Sequence, residues 1–440
     1  MMFPAVRQLP RSEAWSLFDW FGRCCDQAAG ILLSPLILVI YARSLEDDPY
    51  RLSFFVSGFI AAWLLGSAAG PLLQRITIRV MPWIIGGFVV RTAAIALLAY
   101  SASDRQSPAD ERFQSALICI IAYGVATGIS RSAEAQHLRN RPTDEPVYLR
   151  SLMGTTGTSI IVAIGAWAAW SVLSVGTIPW YQAFARLWTL AAIALGVASL
   201  AALLRASSIP ELPVRSDRFQ GNSRPSSPST ISVAGLISLG LGILIMAEAL
   251  GLLMLFSDFR RDSLYVRAGL AWFILGWAAG LPLVSAVLNR YSPALILQGS
   301  IGISIIAIVG ALSLRDVSGT DGFPATLWEA DTVKITIYAV SVLLGLAAVG
   351  RRTAMQRMTE IEPLRPGWVA LLVGLVGAAM PMLYTRWTDG VSLDLQLLIG
   401  VIVGVGVLIV TGVSMQGRAY LRSPAAGMEQ SFSKPARRTS

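Results

Sequence analysis

The stretch Ala61-Ala62-Trp63-Leu64-Leu65-Gly66-Ser67-Ala68-Ala69-Gly70 returns as Ala271-Trp272-Phe273-Ile274-Leu275-Gly276-Trp277-Ala278-Ala279-Gly280. The copies share Ala, Leu, Gly, Ala, Ala and Gly in register. Shortly after each copy comes Arg-x-x-Pro, as Arg79-Val80-Met81-Pro82 and Arg290-Tyr291-Ser292-Pro293. Two echoes in the same order are the mark of a duplicated architecture. Both copies hold Gly-x-x-x-Gly inside an apolar run, the spacing that lets two membrane helices approach closely. Taken alone the motif fits generic small-residue packing equally well.

The surrounding composition settles the environment. Of 440 residues, 54% are hydrophobic and 14% charged, with a mean hydropathy of +0.61. A soluble domain carries about 25% charge. Spanning a bilayer takes about 20 mostly apolar residues. Such runs cover residues 14–42, 51–73, 80–101, 114–135, 150–174, 180–204, 231–256, 264–288, 293–314, 333–353, 366–385 and 395–415. The runs are continuous rather than alternating, which argues against a β-barrel. The fold class is therefore an all-α polytopic membrane protein of twelve transmembrane helices. Ser207 to Thr230 is rich in Pro, Ser and Arg and reads as a linker. The expected domains are a six-helix bundle over 1–206, a cytoplasmic linker over 207–230, a second bundle over 231–417 and a basic tail over 418–440.

The net charge of +9 is no sign of nucleic acid, because the basic residues sit mostly in short loops. One side collects Arg75 and Arg79, Arg139 and Arg141, the linker arginines, and Arg351, Arg352, Arg357 and Arg365. The other holds Glu46-Asp47-Asp48, the Asp104 to Arg112 loop and the Asp316 to Asp331 loop, which are more acidic. The positive-inside rule makes both termini cytoplasmic. Ser257 to Arg267, with Arg260, Arg261 and Arg267, dissents, partly offset by Asp258 and Asp262. Cys24, Cys25 and Cys119 fall within helices and imply no disulfide framework. No cleavable signal peptide is evident.

The repeat extends beyond the opening stretch. Gly124-x-Ala126 with Arg131-x-Ala133 matches Gly345-x-Ala347 with Arg352-x-Ala354, and Gln27 to Leu33 aligns with Glu248 to Met254. Six spans return the chain to its starting side, so the halves are parallel repeats about an axis along the membrane normal.

On these residues the chain resembles the major facilitator superfamily over its whole length. The family's signature loop between helices two and three is matched here by Gly70-Pro71-Leu72-Leu73-Gln74-Arg75-Ile76-Thr77-Ile78-Arg79. Gly70, Arg75 and Arg79 fit; Gln74 replaces the family's Asp and Thr77 its second Gly. The resemblance implies a secondary transporter of a small solute, working by alternating access as a monomer in the cell membrane. Protons are the candidate coupling ion, and the lipid bilayer is the only other expected partner. The degenerate loop keeps open a transport-inactive scaffold or partner subunit.

Ionisable groups inside spans are functional-site candidates. Asp19, Arg23 and Asp26 share one helix face, with Gln27 beside them and Gly30 extending the stripe. They read either as a cavity wall with Asp26 as proton or cation site, or as a self-neutralising helix start. Glu248 lies mid-span with no charge within a turn, so it must find a cation across the bundle, such as Arg23 or Arg91, or stay protonated. Arg91 is mid-span in the third helix and needs a counter-charge, Asp26 or Glu134. The expected solute or ion pathway is thus Asp26, Gln27, Glu248, Arg23 and Arg91. The expected cytoplasmic gate is Gly70, Gln74, Arg75, Arg79, Arg131, Glu134 and Arg352, with Arg351 as a surface anchor. No phosphate loop, metal-ligand motif or nucleophile motif is present, so neither enzyme activity nor a cofactor or metal is expected.

Overall fold

The computed structural model describes residues 11–46, 48–76, 80–104, 106–139, 147–173, 180–206, 240–253, 263–288, 291–317, 327–361 and 368–422. The 207–230 linker, Arg79, His137's side chain and residues 423–440 lie outside that description. All regular structure among the described residues is helical. The helices are α1 (Arg11–Leu32), α2 (Pro35–Arg43), α3 (Pro49–Ile76), α4 (Met81–Ser103), α5 (Ala109–Arg139), α6 (Val147–Leu173) and α7 (Trp180–Ala206). The second series is α8 (Gly240–Leu253), α9 (Ser263–Leu288), α10 (Pro293–Val317), α11 (Leu327–Ile361), α12 (Trp368–Trp387) and α13 (Leu393–Arg422).

Nine helical stretches among the described residues are long and apolar enough to cross a membrane, and Ile160–Val172 and Gly240–Leu253 are shorter apolar helices. The first span is broken, which its apolar run did not foretell. Proline has no N–H and pushes the preceding residue out of the helical region. Ser34 accordingly sits at φ −55°, ψ 138°, with Pro35 opening α2. The helix resumes at once, Leu38 N–H reaching Ser34 C=O at 3.1 Å, so α1 and α2 form one kinked span.

Small residues seat the helices on one another. α3 packs on α5, α4 on α5 and α7, and α1 on α6 and α7; in the second series α9 packs on α11, and α10 on α11 and α13. The opening glycines lie in these seams. A Cβ at Gly66 would come within 3.0 Å of Val125 Cα on α5, and one at Gly276 within 2.8 Å of Val342 Cα on α11. From the other side, a Cβ at Gly128 would lie 2.8 Å from the Gly66 carbonyl carbon, and one at Gly345 2.7 Å from Trp277 N. Gly280 approaches Leu346 and Val349 of α11. α8 joins through Gly242, where a Cβ would sit 2.7 Å from the Gly377 carbonyl oxygen of α12. The two series meet along two seams, α3 with α12 and α6 with α9. Leu97, Ile118, Ile193, Ile306 and Ile402 are exposed, the outward faces that lipid would cover.

Candidate functional site

Among the described residues, both halves bury a cluster of charged side chains. In the first, α1 supplies Asp26, which is 2% exposed, and α4 supplies Arg91, which is 0% exposed. The Arg91 Nη2–H donates to Asp26 Oδ1, and the Arg131 Nη2–H of α5 donates to Oδ2. One carboxylate therefore sits between two guanidinium groups. Arg131 also faces Glu134 one turn on, with Nη1 to Oε2 at 3.4 Å. Arg91 lies 3.3 Å from the Tyr123 hydroxyl and stacks over the Tyr123 and Phe88 rings at 5.2 and 5.1 Å to the centroids. Its Nε and Nη1 have no acceptor among the described residues. A guanidinium cannot shed its proton, so its burial is tolerable only beside such a counter-charge and ring faces.

The second cluster has the same plan. Glu248 of α8 is 0% exposed and accepts a forked pair of hydrogen bonds from Arg351 of α11, Nη2–H to Oε2 at 2.5 Å and Nη1–H to Oε1. Arg351 Nη1–H also reaches the hydroxyl of Ser304 on α10, which in turn donates to Ser300 C=O at 3.0 Å. Planar forks of this kind fix orientation as well as charge. The expectation that Glu248 pairs with Arg23 or Arg91, or stays protonated for want of a partner, gives way to Arg351. Arg351 is no surface anchor; it is 5% exposed, because a mid-span carboxylate needs a cation from its own bundle.

The first helix of each half thus brings a carboxylate, the fifth and eleventh helices an arginine, and α4 and α10 a side-chain donor, Arg91 or Ser304. Asp26 and Glu248 play like parts as buried carboxylates, and Arg131 and Arg351 as their cations. The seam contacts set the register of the halves. Gly66 meets Val125 as Gly276 meets Val342, and Gly128 meets Gly66 as Gly345 meets Gly276, so Gly345 answers to Gly128. The sequence alignment of Gly124 with Gly345 and Arg131 with Arg352 therefore runs about one helical turn off on α11.

Arg352 goes elsewhere. Adjacent residues on a helix point about 100° apart, and where Arg351 turns into its own half, Arg352 crosses to the other. Its guanidinium packs on Gly30 of α1, where any Cβ would collide with it, and stands 5.9 Å from the Trp277 ring centroid. It is half-buried, within electrostatic range of Tyr123, Arg131, Asp26 and Arg91, and has no ion pair or hydrogen bond to a described residue. Gln27 and Arg23 are half-buried on α1, each with contacts of its own.

Of the expected gate, Arg131, Glu134 and Arg352 gather at the first cluster. Gly70, Gln74 and Arg75 lie on the last turns of α3, their side chains outside the description along with that of Asp19. Ser304, Tyr123 and Trp277 were missed. A lone serine or aromatic in an apolar helix carries no sequence signal of its partner. Among the described residues no group of three or more His, Cys, Asp or Glu is placed to hold a metal ion.

No family model and no curated protein sequence matches the chain. Solved structures do. A mutant of the nucleoside transporter NupG matches with TM-score 0.56 at 13% identity, covering 91% of this chain and 99% of that one. An auto-inhibited POT family peptide transporter matches at TM-score 0.53 and 12% identity, covering 98% and 99%. A D-xylose–proton symporter matches at TM-score 0.53 and 12% identity, covering 91% and 97%. At such identities the likeness speaks for architecture alone. The chain shares the fold of these transporters, a multi-pass bundle that is all-helical among the described residues and built as two six-span halves.

Proposed function

We propose that the protein is a secondary transporter that moves a small solute across the cell membrane by alternating access of its two halves, with both termini cytoplasmic and without enzymatic activity. The observation that carries this reading is the placement of charge. Asp26 with Arg91 and Arg131, and Glu248 with Arg351, each tie helices of one half together. At the α6–α9 seam between halves, Gly165 meets Ala278 instead. Each half is stiffened internally and joined lightly to the other, the arrangement that rigid-body rocking requires. Proton coupling through Asp26 or Glu248 is part of the proposal, and it proceeds by breaking an ion pair, since every carboxylate oxygen there accepts from an arginine.

Gln74, where the resemblance expects Asp, favours a second reading, a transport-inactive scaffold. Spin-label distances separate the two without a known substrate. One pair joins Leu203 to Val287 near the ends of α7 and α9, and another joins Tyr100 to Leu395 at the end of α4 and the start of α13. All four residues are exposed. A transporter gives distributions that shift in opposite senses at the two ends between detergent and nanodiscs or across pH. A single unshifted distribution at both ends makes the chain a scaffold.

A further inference from the structure

Around Asp26 the chain assembles more positive than negative charge. Arg91, Arg131 and Arg352 face Asp26 and Glu134. Both Asp26 oxygens are already engaged, and Glu134 is engaged with Arg131. The surplus lies in donors. Arg91 keeps Nε and Nη1 without an acceptor while 0% exposed, and Arg352 has none of its donors engaged by a described residue. An unmatched guanidinium in a low-dielectric setting is costly, and the cost falls when an anion with paired oxygens arrives. Arg352 reaches this place across the seam from α11, its guanidinium against Gly30 and 5.9 Å from the Trp277 ring centroid, with Tyr123 within electrostatic range.

We infer that Arg352, with Arg91 beside Asp26, forms an anion-binding site at the boundary of the two halves, and that the transported solute is an organic anion bearing a carboxylate or phosphate group next to a flat, apolar body. The oxyanion takes the Arg352 fork, and the body lies along Trp277. The inference rests on the transporter reading for the word "transported"; the site itself does not depend on it.

The test uses the full chain in detergent, with sodium benzoate, phenyl phosphate and neutral benzyl alcohol titrated at constant ionic strength and unfolding temperature as readout. At least one anion should stabilise saturably where benzyl alcohol does not. Arg352→Gln should weaken that binding tenfold or more without lowering the unfolding temperature in the absence of anion, because it removes a charge that repels Arg131 and Arg91. Arg352→Lys should keep part of the binding, having charge but no fork. Equal anion binding in wild type and Arg352→Gln, or no preference for either anion over benzyl alcohol, overturns the site. Stabilisation by nanodiscs containing phosphatidylglycerol, with none by the free anions, assigns the guanidinium to a lipid headgroup and overturns the solute. Anion binding with immobile halves in the spin-label experiment leaves the site standing and removes transport, while moving halves without anion binding do the reverse.

Discussion

Glu248 and Asp26 are the arginine-bound buried carboxylates of their two clusters but differ in what their loss exposes. Glu248→Gln preserves shape, and from shape alone the fold should tolerate it. Its fork with Arg351 changes that expectation, because an amide leaves a 5% exposed guanidinium uncompensated. Removing one partner of a buried pair costs about 3–5 kcal/mol. The unfolding temperature of Glu248→Gln in detergent should therefore drop clearly. The double change Glu248→Leu with Arg351→Met removes both charges and should recover most of the loss. Asp26→Asn should be worse than Glu248→Gln, since it strands the fully buried Arg91 and leaves Arg131 with Glu134 alone. If Asp26→Asn unfolds at the wild-type temperature, the cluster is not held by charge in the membrane-embedded protein. A mutant cycle over Asp26 and Arg131 then separates the pair from the stack of Arg91 on Tyr123.

At the scale of the helix, the seams make their own prediction. Gly345→Leu and Gly66→Leu put bulk where backbone meets backbone, and overpacking of this kind costs about 1–3 kcal/mol. Gly86, with nothing within 4 Å of a built Cβ, serves as the control, and Gly86→Leu should leave thermal unfolding unchanged. Equal unfolding temperatures for all three would mean that α3 does not press on α5, nor α9 on α11. The spans were legible in the sequence because a bilayer demands long apolar runs whatever the partner helix is. The Gly66 and Gly276 seams were legible because close approach permits only small residues. The break at Ser34-Pro35 was written in the sequence but outweighed by the apolar run on either side. The partner of Glu248 was not legible at all. Arg351 and Arg352 are adjacent and chemically identical, and only the rotation of α11 decides which turns inward. A repeat alignment about one turn out of register on α11 paired Arg352 with Arg131 and so assigned the gate to one and the surface to the other. Arg91 with Asp26 was readable because a mid-span arginine leaves few candidates.

For the whole molecule, orientation is the property that the basic loops predict and the helices alone do not carry. Translocation of a short loop is opposed by Lys and Arg, so the side holding the linker arginines and the C-terminal basic residues should face the cytoplasm. The dissenting loop of Arg260 and Arg261 makes this a real test. Residue accessibility in intact cells decides it, and the chain is suited to the measurement as it stands. Cys24, Cys25 and Cys119 are free and buried, so a membrane-impermeant maleimide should find little background. Asp389 lies in the short turn between α12 and α13, which Gly390 closes at φ +78°. A positive φ suits glycine and holds this turn tight at the end of the span. With the linker inside, five spans and their loops place that turn outside. Asp389→Cys should therefore label in intact cells, and Ser226→Cys only after permeabilisation. Labelling of Ser226→Cys without permeabilisation would invert the molecule. It would turn the end of the bundle that holds Asp26, Arg131 and Arg352 toward the outside, and an anion would then reach them from the opposite compartment.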